Sequence, residues 1–330
     1  MENMVFPQMN TLVRMRERTL LSGTQKNELR RASDVDTILK SLMAVEFFSY
    51  AQPRSTHDID SAISDELKGW MDWARQITPD RRITDMFELP DIIHNIRVFI
   101  KAKVLERDLS GLYLQDTIYD EKYFSGLLQP GRRELSDGDK RIKAVIEDAV
   151  SDFSIHKSLS RIDLIVKFFY HSELVRVSEE IGEPQITDFV TAYIDLDILS
   201  VLAQQRVSKH TLNESILFRS KGGLLHAVIP KLFYDSEAAQ DAFLRSTPYS
   251  TMWDYLSHQS TWDLFDVFAD NYLLGLCKKA KLEAFGLFPL FAFMYAKLLD
   301  IKNVRTLVAA KRAGADAGGT AERLRDGYDL

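Results

Sequence analysis

Gly286 to Arg305 reads GLFPLFAFMYAKLLDIKNVR, and this stretch decides the fold. From within it and just beyond, the apolar positions Met294, Leu298, Ile301, Val304 and Val308 recur every three or four residues, the stripe of a buried helix face. The Asn303-Val304-Arg305 signature inside it occurs earlier as Asn95-Ile96-Arg97, with a degraded copy at Ile198-Leu199-Ser200. The step is 103 residues from 95 to 198 and 105 from 198 to 303. Pro184 and Pro289 each precede the second and third copies by 14 residues, and Gly182 and Gly286 stand just ahead of those prolines. Self-similarity at this period predicts a body of three related helical units.

The other copies carry the same stripe. Val190, Ile194, Ile198 and Val201 form it in the middle copy; Ile92, Ile96, Phe99 and Ile100 form it in the first. Convincing hairpin turns are missing, since Ser136-Asp137-Gly138-Asp139 lies among charges and not between alternating strands. The expected class is all-α. Proline suits a first helical turn because its missing N–H has no partner there anyway. Gly182 and Gly286 are placed to end the preceding helix in the left-handed conformation. Each of the last two units therefore reads as a helix hairpin, with Tyr170 or Tyr272 on the incoming helix.

A weaker repeat relates residues 34–50 (DVDTILKSLMAVEFFSY) to 236–252 (SEAAQDAFLRSTPYSTM). Both open on acids that favour a helix N-terminus, and Leu42 or Leu244 then falls on the apolar face, closed by Phe47 or Tyr249. Polar segments at Gly111–Asp116 and Lys209–Glu214 set domain limits of 1–112, 113–212 and 213–330. Gln129–Asp139 reads as the longest loop, and Gly314–Gly319 as a linker before a short terminal helix. Asn95 and Asn303 interrupt apolar stripes. Each amide is expected to bond a neighbouring helix end or loop, since a buried polar group left unpaired costs ~1–3 kcal/mol.

Composition narrows the function. The 330 residues are 45% hydrophobic and 27% charged, ordinary for a globular protein with several cores. A net charge of -6 argues against nucleic acid as the main partner. Cys277 is the sole cysteine, which excludes an intrachain disulfide and a multi-cysteine zinc site. It lies beside Lys278 and Lys279 but on the apolar side of its helix, where a buried thiol is expected. The opening MENMVFPQMN holds no signal-peptide core. The most apolar stretch, Ala284–Leu299, is shorter than the roughly 20 residues of a spanning helix.

No catalytic constellation stands out. The seven histidines form no H-E-x-x-H pair, and neither a phosphate-binding glycine loop nor a G-x-S-x-G elbow is present. Asp195 and Asp197 are two apart and face different ways on a helix. His57-Asp58 resembles half of a helical phosphohydrolase metal site, and the competing reading has Ser55 or Thr56 capping a helix with His57 and Asp58 in its first turn. Expectations are thus no catalytic residues, no cofactor and no metal.

The C-terminal third, DNYLLGLCKKAKLEAFGLFPLFAFMYAKLLDIKNVRTLVAAKR with AERLRDGY beyond it, resembles the end of the C subunit, also called the d subunit, of V-type and A-type ATPases. The matching positions are Gly286, Pro289, Leu290, Ile301, Lys302, Asn303, Val304 and Arg305, then a Glu322-Arg323-Leu324-Arg325 helix. RIDLIVKFFY through YIDLDILSVL resembles the family's second repeat and HNIRVFIKAK its first; Val13-Arg14-Met15-Arg16 with Leu20-Leu21 is similar to its opening helix. The chain departs from the pattern at Ile198, Ser200, Phe288 and Asp300.

The resemblance implies three helical domains in a pseudo-threefold, funnel-like arrangement. It implies a non-catalytic central-rotor subunit, peripheral on the cytoplasmic face, whose partners are central-stalk subunits and the membrane proteolipid ring. The family motif marks Asn95, Arg97, Gly182, Pro184, Gly286, Pro289, Asn303 and Arg305 as structural residues. Two other readings compete. A scaffold for regulatory partners would normally repeat every 33–47 residues or so. A metal-dependent phosphohydrolase would rest on His57 and Asp58.

Overall fold

A computed structural model describes residues 5–114, 117–129, 134–208, 222–225, 228, 235–258, 264–315 and 317–329. Among them the regular structure is helical throughout, without a strand. In chain order the helices are α1 (Val5–Arg16), α2 (Gly23–Arg31), α3 (Val35–Ala44), α4 (Ile59–Ile77), α5 (Arg82–Leu105), α6 (Glu121–Leu127) and α7 (Asp137–His156). There follow α8 (Leu159–Ile181), α9 (Pro184–Ser208), α10 (Glu237–Arg245), α11 (Ser250–His258), α12 (Phe265–Cys277), α13 (Phe288–Arg312) and α14 (Ala317–Glu322).

The three signature copies lie on the three longest described helices, with α8 close behind at 23 residues. α5 has 24 residues and α9 and α13 have 25 each. Position 95 is 13 residues into α5 from Arg82, 198 is 14 from Pro184, and 303 is 15 from Phe288. The starts differ in mechanism. Pro184 opens α9 and Pro289 sits in the first turn of α13, whereas α5 starts on the Asp80 carboxylate, which accepts from Arg82 N at 3.0 Å. Pro90 lies inside α5.

Contacts gather the chain into two compact units, each assembled from segments distant in sequence. The first holds Met1–Thr84, Ile181–Ala203 and Glu237–Leu330; the second holds Asp85–Glu180 and Gln204–Ser236. In the first unit α13 is apolar on every side from Phe288 to Ala296 and buried all round. Phe189 meets Phe291 and Tyr295 edge-on, with ring centroids 4.8 Å apart in both pairs. α2, α3 and α4 close over Ile301, Val304, Leu307 and Val308. In the second unit, Ile96, Phe99 and Ile100 of α5 pack with Phe124, Ile146, Ile162 and Val166 from α6, α7 and α8. Burying each such side chain contributes roughly 1.5–3 kcal/mol.

Local sequence explains most boundaries. Asp34 caps α3 by accepting from Thr37 N at 2.8 Å, which holds its carboxyl down at about 2. Ser136 and Asp139 form a capping box at α7, so Ser136–Asp139 is a helix start. α3 and α10 bury Leu42 and Leu244, and Phe47 and Tyr249, just after the two helices, are buried as well.

Several sequence expectations need correction. Gly314–Gly319 is not all linker, because α14 starts at Ala317 and takes in Gly318 and Gly319; Arg323–Arg325 run past its end. Neither Ser55 nor Thr56 caps α4. Asp58 occupies that position without a side-chain cap, and its carboxylate accepts from Ser55 Oγ. Gly182 follows α8 directly at φ 75°, as a left-handed helix end. Gly286 also has positive φ, 83°, but α12 has stopped at Cys277 and the 3-10 turn after it at Leu282. It therefore turns a loop. Lys209–Glu214, Gln115 and Asp116, and residues 130–133 lie outside the described residues, and the expected Gln129–Asp139 loop ends before Asp137, where α7 begins.

Candidate functional site

The motif residues form two asparagine clamps and one junction between helix starts. Asn303 is fully buried on α13, and its amide bonds one backbone residue from both sides. Nδ2 donates to Arg325 O at 3.0 Å, and Oδ1 accepts from Arg325 N at 2.8 Å. Asn95, fully buried on α5, does the same to Leu114: Nδ2 donates to Leu114 O at 3.0 Å and Oδ1 accepts from Leu114 N at 2.9 Å. Its Nδ2 also donates to Tyr119 O at 3.0 Å. An amide carries a donor and an acceptor side by side, so it matches the N–H and C=O of an extended residue as a strand would. The clamped residues lie 19 positions after Asn95 and 22 after Asn303. Ile198, buried in α9, has no amide to offer.

The strap after α14 is tied further. Arg325 Nε donates to Asp270 at 2.9 Å, and Asp270 also receives Lys302 and Tyr295 Oη. Burial and this carboxylate push the Tyr295 phenol well up. Asp326 N donates to Asn271, Lys26 Nζ to Asp326 O at 2.6 Å, and Tyr328 Oη to Cys277 O. Cys277 is buried and its thiol is pushed up by desolvation, the opposite of an activated nucleophile.

Both hairpin turns meet in the first unit. Glu183, between Gly182 and Pro184, accepts from Leu287 N at 2.8 Å, capping the start of α13. A Cβ on Gly286 would stand 2.8 Å from Glu183 Oε1, so the approach depends on glycine. Gln185 donates to Glu283 at 2.9 Å beside it. Pro184 is exposed and Pro289 buried. The two arginines differ: Arg97 Nε lies 3.2 Å from Asp163, which Lys101 also engages, whereas Arg305 is exposed.

Residues outside the eight structural motif positions do much of the tying. Asn10 on α1 donates to Ala284 O and Gly286 O, and Arg14, one turn later, to Ala280 O and Glu283 O. A buried charge chain links α2, α4 and α13. Lys26 meets Asp300 at 2.8 Å, and Lys297 lies 3.4 Å from Glu66 and donates to Phe47 O at 3.0 Å. Glu66 further accepts from Ser49 N, Tyr50 N and Trp70 Nε1. Desolvation lowers the Lys297 ammonium and raises the Asp300 carboxyl. The only signal for these in the sequence was a lysine and an aspartate set inside an apolar helix. Asp195, also buried, accepts from Tyr249 Oη at 2.8 Å.

These polar groups are spent on cross-ties and do not converge on a cleft. His57 and Asp58 are exposed, and among the described residues no group of three or more His, Cys, Asp or Glu could hold a metal ion. No described helix is long and apolar enough to cross a membrane. A cleft of about 690 Å³ in the second unit is lined by Lys103, Glu106, Arg107 and Tyr113 among others. It brings in none of the motif residues.

Comparison with known proteins follows the same lines. The chain is similar to the C subunit of the V-type sodium ATPase of Enterococcus hirae, with 24% identity over 338 positions, spanning 99% of this chain and 100% of that one. The family model for the ATP synthase (C/AC39) subunit matches residues 9–318, from Met9 in α1 to Gly318 in α14. The chain belongs to the ATP synthase (C/AC39) subunit family.

Proposed function

We propose that this chain is the non-catalytic central-rotor subunit of a rotary ATPase, joining the central stalk to the membrane proteolipid ring on its cytoplasmic face. Ion transport linked to ATP hydrolysis or synthesis is then the work of the complex, and this subunit transmits torque. The observation that carries the reading is the family match along nearly the whole chain. The interior supports it: buried amides, carboxylates and ammoniums are used to lock helices to one another, which suits a part that must resist twisting. We also read the chain as three related repeats, 1–112, 113–212 and 213–330, in a funnel-like pseudo-threefold arrangement. The near-equal lengths of α5, α9 and α13, and the matched clamps of the first and third copies, support that division. Asn95, Arg97, Gly182, Pro184, Gly286, Pro289, Asn303 and Arg305 are then structural residues of the repeat.

The test is affinity capture from gently solubilised membranes of the source cell. Recovery of ATP-hydrolysing head subunits together with a proteolipid ring is expected. Capture of the chain without either overturns the proposal.

A further inference from the structure

The strap after α14 is tied in a way that lets it leave without stranding the charges that hold it. Its ties come from three helices: Asn303 of α13, Asp270, Asn271 and Cys277 O of α12, and Lys26 and Gly23 N of α2. The two charged side chains among them have second partners within the same unit. Lys26 Nζ also meets Asp300 Oδ1 at 2.8 Å, and Asp300 in turn accepts from Leu21 N at 2.7 Å. Asp270 also accepts from Lys302 Nζ at 3.0 Å and from Tyr295 Oη at 3.1 Å. A buried charge left without its partner is what makes an element hard to detach, and here neither charge is left so. The Asn303 amide does lose its bonds, in a gap that the departing strap opens to water.

Apolar burial adds little to the hold. Across residues 323–329, Leu324 is half-buried against the core around Ile301 and Val304, and Tyr328 is buried. Arg323, Asp326 and Asp329 are exposed. One aromatic ring, one leucine flank and a row of hydrogen bonds thus fasten the element, and low apolar contact of this kind marks segments that open before the rest. Upstream, residues 313–315 are exposed and Gly314 stands at φ 64°, so the chain leaves α13 through a surface turn. Beneath the strap lies the sole cysteine. Cys277 is fully buried, and the phenols of Tyr295 on α13 and Tyr328 on the strap are both close enough for a charge on its sulfur to raise them. Tyr295 is anchored in the middle of a long helix; Tyr328 is the neighbour that can move.

We propose that residues 323–329 form a latch that opens and shuts as a unit while the helices beneath it stay folded, and that Tyr328 is the cover it lifts from Cys277. The inference concerns the first unit alone and stands whether or not the rotor assignment does.

Thiol labelling of the native full-length protein with excess dithionitrobenzoate reads the latch directly, because Cys277 is the sole thiol. Cys277 is expected to react at least about ten-fold faster than global unfolding allows. The rate should change little at low urea, since opening a strap exposes far less surface than unfolding the chain. Asn303→Ala removes two ties and should raise the rate roughly ten-fold or more. Asn95→Ala removes bonds in the second unit and should label as the parent does. In hydrogen exchange, the Arg325 and Asp326 amides, whose acceptors are Asn303 and Asn271, should open together and well before the amides of α13. Labelling only through global unfolding, with the full urea slope, overturns the inference. So does an equal rise in Asn95→Ala and Asn303→Ala, or exchange at 325 and 326 no faster than in α13. The slope of the parent needs no variant, so the test holds even where a substitution fails to fold.

Discussion

Replacing Asn303 by leucine tests whether the clamp holds the C-terminal strap. The side chain is fully buried, and leucine is close to it in size but has no polar atom. The change strands both backbone groups of Arg325, which lose bonds of 2.8 and 3.0 Å. An unpaired buried group costs ~1–3 kcal/mol; Arg325 is half-buried, so water recovers part of this and about 1 kcal/mol for each group is the fitting figure. The sum, about 2 kcal/mol, lowers the melting temperature by roughly 4–8 °C for a cooperative unit near two hundred residues. Asn303→Ala should lose at least as much, which separates the missing amide from any misfit of leucine. Hydrogen exchange gives the local readout, since the Arg325 amide loses its acceptor and should exchange faster. Asn95→Leu removes three bonds and should cost about half as much again. The clamps share no partner, so the two costs should add. Melting within about 1 °C of the parent for both Asn303 variants, with Arg325 protection unchanged, would refute the reasoning.

Further outcomes follow from the junction and the buried charges. Gly286→Ala should destabilise by about 1–3 kcal/mol, from left-handed strain and collision with Glu183, and Glu183→Ala should relieve the collision. A double-mutant cycle by urea unfolding checks this, and strictly additive costs would count against it. Lys297 is held below the usual lysine value by burial, so the unfolded chain binds more protons as pH approaches 10.5 and this group adds stability as pH rises there. Buried tyrosines such as Tyr249 are raised and act in the opposite sense. The readout is thus the urea midpoint of the parent minus that of Lys297→Met, which should grow from neutral toward alkaline pH; a flat difference contradicts it. Tyr249→Phe removes a 2.8 Å hydrogen bond to the buried Asp195 carboxylate and should cost about 1.5–3 kcal/mol in the same assay, and an unchanged urea midpoint would contradict this.

What was legible in the sequence was local. Helical periodicity, prolines in first turns, acids at helix starts and the repeated signature follow from backbone sterics and apolar spacing, which act within a few turns. They marked α5, α9 and α13, the left-handed Gly182, buried Cys277 and an amide at 95 and 303 that required a partner. They misread Gly286 as a helix end because a glycine needing positive φ looks the same in a loop as at a C-terminus. Tertiary structure alone decided the partners. Nothing in the sequence pairs Leu114 with Asn95 or Arg325 with Asn303, since what the two amides bind is backbone, which every residue possesses. Glu183 against Leu287, Asn10 and Arg14 against residues 280–286, and Lys297 beside Glu66 join positions about 100 to 280 apart. Such pairings depend on which helices pack together, and hydrogen-bond geometry fixes them only once the chain has closed on itself.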